Sequence, residues 1–104
     1  MTTSTVYLIC FAPGIPRGRQ TGHACHYLGS TSLEPTVRLQ QHQLGRKGLS
    51  SPLVAAAYAR GLEPRIVAVW PGGRHLERAM KRRHRLSHWC PRCNRQTDYH
   101  QRPA

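Results

Sequence analysis

The chain has 104 residues, a net charge of +12 and four cysteines. Its length suits one domain with a modest core, and no internal repeat is present. No apolar run of about 18 residues exists, which excludes a transmembrane helix, and no secretory leader is recognisable, so the expected location is cytoplasmic.

The excess positive charge is almost all arginine, with Lys47 and Lys81 the only lysines against four acids, Glu34, Glu63, Glu77 and Asp98. Arginine presents a planar fork that matches phosphate oxygens, so the balance points to a polyanionic partner such as nucleic acid. A coding bias toward arginine would give the same excess with no partner.

In chain order, residues 5–11 form a β-branched and aromatic run, the pattern of a buried strand. Alternation puts Val6, Leu8 and Cys10 on one face and Tyr7, Ile9 and Phe11 on the other. Residues 12–24 hold Pro13, Gly14, Pro16, Gly18 and Gly22 and read as a loop, whose Arg17 and Arg19 suit a phosphate backbone or simply solvent. A second strand follows at about 25–30, with Cys25, Tyr27 and Gly29 on one side, and pairs antiparallel with the first. Gly29 within it suggests a bend or a close approach by another group.

A helix is expected from Leu33 to Leu44, with Ser32 as its N-cap, Pro35 in its first turn and Gly45 after its end. Its apolar stripe (Val37, Leu39, Leu44) is sparse, so few contacts tie it to the sheet. Ser51-Pro52 opens a second helix that Gly61 closes. Arg65–Trp70 is a third strand, and Pro71-Gly72-Gly73 precedes a third helix over about 74–85 with Leu76, Ala79 and Met80 facing the core. From Leu86 on, no periodicity remains and an extended tail is expected. The result is an α+β chain, a three-stranded, mainly antiparallel sheet flanked by helices in the order β-β-α-α-β-α. The domain spans residues 1–88, and residues 89–104 form a basic tail.

Some residues carry chemistry. Arg38 and His42 lie one turn apart on one helix face. Glu77 is the only acid in a stretch with Arg74, Arg78, Lys81, Arg82, Arg83 and Arg85. An ion pair with Lys81 at i+4, worth about 0.3–0.5 kcal/mol, is its simplest role. The tyrosines alone read as half-buried strand residues.

Taken jointly, these residues make the chain resemble the GIY-YIG nuclease domain over residues 5 to about 85. Thr5-Val6-Tyr7 keeps the tyrosine of the first tripeptide, Tyr27-Leu28-Gly29 stands for the second, and Arg38, His42 and Glu77 follow in order. The resemblance implies a divalent-metal-dependent DNA endonuclease with Tyr7, Tyr27, Arg38, His42 and Glu77 in its active site. Glu77 would hold one Mg2+ or Mn2+ ion, Arg38 would stabilise phosphoryl charge, and His42 would carry a proton or touch phosphate. Arg46, Lys47, Arg74, Arg78 and Arg82 would grip the DNA backbone with low sequence specificity, and a protein partner or dimerisation could add specificity. The late asparagine of some members has no counterpart, since Asn94 falls in the tail. The alternative is a non-catalytic nucleic-acid-binding module on the same fold.

Cys90-Pro91-Arg92-Cys93 has the spacing of a metal knuckle, and His88 and His100 are the nearby histidines that would complete a zinc site. Cys10 is set aside as a strand residue, and reduced thiols are the plainer expectation for the tail. Trp89 is expected to anchor that tail on the core or to stack on a base.

Overall fold

The run Val6–Phe11 is fully buried because its strand is the centre of the sheet. In the computed structural model, which describes residues 4–16, 23–44, 51–83 and 86–93, β1 (Thr5–Pro16) lies between β2 (His23–Thr31) and β3 (Arg65–Pro71). Both pairings are antiparallel. Alternation along β1 then builds two cores. Val6, Leu8 and Cys10 pack with Leu28, Met80 and Cys90 on one face. Tyr7, Ile9 and Phe11 pack with Val54 and Ala57 on the other. Each fully buried aliphatic or aromatic side chain of this strand contributes about 1.5–3 kcal/mol.

The helices follow in the expected order: α1 (Pro35–Leu44), α2 (Pro52–Ala59), then after β3 the helix α3 (Arg74–Arg82), and a single turn α4 (Leu86–Trp89). Residues of α1 and α2 cover the Tyr7 face, and residues of α3 and α4 cover the Val6 face. No helix among the described residues is long and apolar enough to cross a membrane.

Four local readings are corrected. Residues 12–16 and 23–24 are strand, not loop, because a register shift between Cys10 and Ile15 absorbs Pro13 and Gly14 before pairing resumes at Ile15 with Ala24. Gly14 has φ +93°, and a Cβ there would lie 2.6 Å from the Ala24 carbonyl oxygen, so the bulge needs glycine. Helix α1 starts at Pro35 instead of Leu33, since the Thr31 hydroxyl accepts the Leu33 N–H at 3.0 Å and holds a turn there. Ala79 is exposed, and only Leu76 and Met80 of the three pack into the core.

The fourth correction concerns the tail. Residues 86–89 form α4, and Trp89 meets Trp70 edge-on with ring centroids 6.2 Å apart. Cys90 is completely buried. The chain therefore stays packed on the sheet through residue 93, with Trp89 against Trp70. Residues 94–104 lie outside the described part.

Candidate active site

Helix α1 is tied to the sheet through a polar side chain. Its one fully buried residue is His42, while Val37 and Leu44 are exposed. The Ser51 N–H, which can only donate, points at His42 Nδ1 from 2.9 Å. Burial, and then the Arg38 charge, lower the His42 pKa to about 4, so the ring is neutral near pH 7. A neutral imidazole whose Nδ1 accepts carries its proton on Nε2. His42 Nε2–H therefore donates to the Tyr7 hydroxyl, 2.9 Å away.

Tyr7 is itself fully buried. Burial, and then the neighbouring Tyr27, push its pKa up to about 12, with Arg38 offsetting part of the rise and Glu77 adding to it. These causes place Arg38 and Glu77 within electrostatic reach of the phenol. Gly29 is the register partner of Tyr7. A Cβ at residue 29 would come within 2.7 Å of the Tyr7 hydroxyl and 2.8 Å of the Tyr27 ring, so the bare backbone makes room for both rings.

Tyr27 is only partly buried. Its ring meets His42 edge-on at 5.4 Å and lies 6.2 Å from Tyr7. The Lys81 ammonium stands 5.8 Å from the centre of the Tyr27 ring and pairs with Glu77 at 3.2 Å. Lys81 thus links the α3 carboxylate to Tyr27, a contact that sequence spacing gives only as an i, i+4 pair. Arg38 donates to Gln41 Oε1 at 2.8 Å. It also lines an open polar cleft of about 460 Å³ with Ser4, Ser30, Ser32, Gln41 and Arg74. Two guanidinium groups among hydroxyls suit a phosphate-bearing ligand. Neither tyrosine nor Glu77 lines that cleft; Arg38 is the residue common to both surroundings.

Of the five residues of the expected active site, Tyr7, Tyr27 and His42 are in mutual contact, Arg38 lies beside Tyr7, and Glu77 of α3 connects to them through Lys81. His42 is sealed behind Tyr7, which rules out direct contact with phosphate in this conformation. Arg74, Arg78 and Arg82 are exposed along α3. Arg46 and Lys47 lie outside the described residues.

A separate cluster occupies the opposite face of the sheet. The ligand atoms of Cys10, His26, Cys90 and Cys93 all lie within 4.8 Å of one another, and this group can hold a metal ion. Cys10 and His26 are register partners on adjacent strands, and Cys90 and Cys93 reach them from the turn after α4. Burial lowers the His26 pKa, and burial, then the Cys10 thiol, raise that of Cys93 to about 12. The expected partners of the knuckle are corrected accordingly: His88 is exposed and not in the group, and His100 is outside the described residues. Strand pairing was the available signal, because it puts Cys10 beside His26. Thiolates and imidazole are soft donors that do not suit magnesium or manganese.

No family model, curated protein or solved structure matches the chain.

Proposed function

We propose that the protein is a GIY-YIG-type endonuclease that hydrolyses DNA phosphodiester bonds with a divalent ion. The observation that supports this reading is the contact of Tyr7, Tyr27 and His42 beside Arg38, with Glu77 joined to Tyr27 through Lys81. They lie beside a polar cleft that carries Arg38 and Arg74.

In this reading Arg38 and Arg74 bind the scissile phosphate, and Arg38 stabilises charge on its oxygens in the transition state. Tyr27, partly exposed beside Lys81, is the phenol that faces the attacking water. Tyr7 is a positioning residue: with its pKa at about 12 it stays protonated and holds its O–H toward the site, oriented by His42. Glu77 would hold Mg2+ or Mn2+. One carboxylate fits such an ion, which keeps several waters and takes further oxygens from the substrate phosphate. The Lys81 pair must then share or release the carboxylate. When bound, the ion would acidify water and neutralise phosphate charge.

One observation favours a second reading. Glu77 already has the intrahelical partner of a carboxylate with no catalytic task, at 3.2 Å. A non-catalytic DNA-docking module would look the same there.

Nicking of supercoiled plasmid in magnesium or manganese separates the two. Glu77→Gln should abolish cleavage while leaving DNA affinity and thermal midpoint nearly unchanged, since glutamine keeps the size and polarity of the half-buried side chain and an i, i+4 helix pair contributes only about 0.3–0.5 kcal/mol. A chelator selective for zinc over magnesium accompanies the assay, so that loss of the other metal cluster is not mistaken for loss of the catalytic ion. Wild-type protein that binds DNA and never cuts it supports the docking module. Cleavage that survives Glu77→Gln rejects the assigned site.

A further inference from the structure

We infer that Cys10, His26, Cys90 and Cys93 form a closed structural zinc site that staples the C-terminal turn to the sheet. The inference is independent of the nuclease reading, since Cys10 and Tyr7 point to opposite faces of β1.

The distances carry it. Cys10 Sγ and Cys93 Sγ are 3.8 Å apart. A disulfide needs about 2.05 Å, so the sulfurs are not bonded. Zinc–sulfur bonds of about 2.3 Å at tetrahedral angles put sulfur atoms about 3.8 Å apart. Three cysteines and one histidine gathered within 4.8 Å complete a four-ligand set. A second observation comes from the histidine: His26 Nε2 is buried with no hydrogen-bond partner among the described residues. A buried ring nitrogen left without a partner is costly, and ligation removes that cost.

Donor chemistry selects the ion. Thiolates with an imidazole favour zinc, and four protein ligands leave no open position for substrate or water, so the role is structural. Binding replaces the three thiol protons by one Zn2+, the protons pass to solvent, and no electrons move. His26 binds as the neutral ring through Nε2. The ligands come from β1, β2 and the turn after α4, so the ion joins chain segments far apart in sequence. Cys25 is outside the group.

The test uses the full chain purified under reducing conditions. One zinc per chain is expected by elemental analysis. Cobalt replacing it should give the visible bands of tetrahedral Co2+ with thiolate-to-cobalt charge transfer. Before chelation only Cys25 should react rapidly with a thiol reagent; after chelation all four cysteines should. Cys25→Ser should keep the metal, whereas Cys10→Ser and His26→Ala should lose it or bind it far more weakly. The thiol count needs no variant, so a misfolded mutant does not blunt the test. Folded, reduced protein that is free of zinc, takes up no cobalt and keeps its thermal midpoint on zinc addition would overturn the inference. So would full zinc content in Cys10→Ser.

Discussion

The buried His42 should make the fold acid-sensitive in a defined window. In the unfolded chain the imidazole titrates near the ordinary value of 6.5, whereas in the fold its pKa is about 4. Its place in the last turn of α1 would favour the protonated ring by about 0.3–1 kcal/mol. Burial and the nearby Arg38 outweigh that. Between those two values the unfolded state binds a proton that the folded state refuses, so stability rises with pH across the interval. The stabilisation is complete above 6.5, declines as pH falls, and is gone below about 4. At about 1.4 kcal/mol per pH unit, the ceiling is about 3 kcal/mol, a large share of the 5–15 kcal/mol typical of small domains. Urea unfolding at constant salt, from about pH 7 down to about pH 4, should be run on wild type and His42→Gln. Glutamine offers an acceptor and a donor but does not titrate. Other histidines, and any metal linkage at the cysteine cluster, contribute equally to both proteins and cancel in the difference. The wild-type curve should fall more steeply, the gap between the curves changing by up to about 3 kcal/mol. Parallel curves would refute a neutral, buried His42.

Two further outcomes follow from the same geometry. Gly29→Ala should destabilise the protein by about 1–3 kcal/mol in denaturant unfolding, because its methyl group collides with both tyrosine rings; an unchanged midpoint would mean the rings are not held as described. Replacing Arg74, Arg78 and Arg82 by glutamine should weaken DNA binding with little regard to sequence, flattening log K against log salt by about 0.9 for each duplex phosphate that is no longer neutralised. An unaltered salt slope would remove α3 from the DNA-binding surface.

The order of elements was legible because local patterns dictated it. Alternation in Val6–Phe11 alone assigned each side chain to the correct face, and Ser51-Pro52 and Gly61 marked the ends of α2. Legibility failed where a long-range partner overrode a local signal. Pro13 and Gly14 look like loop residues until Ala24 and His23 resume pairing beyond them. Leu86–Trp89 has no periodicity, yet Trp70 and the cysteine cluster hold it in place.

The candidate site divides in the same way. The sequence by itself determined which chemical groups exist and which are near neighbours: Arg38 beside His42 on one turn, Glu77 with Lys81 on another, and two cysteines at knuckle spacing. It also named the residue types that phosphate chemistry uses. Only the tertiary structure decided what those groups face. Burial made His42 a neutral donor behind Tyr7, and strand register set Cys10 beside His26. Protonation state and ligand geometry depend on solvent exclusion and on atoms distant in the chain, and both arise only when the sheet and its helices close around them.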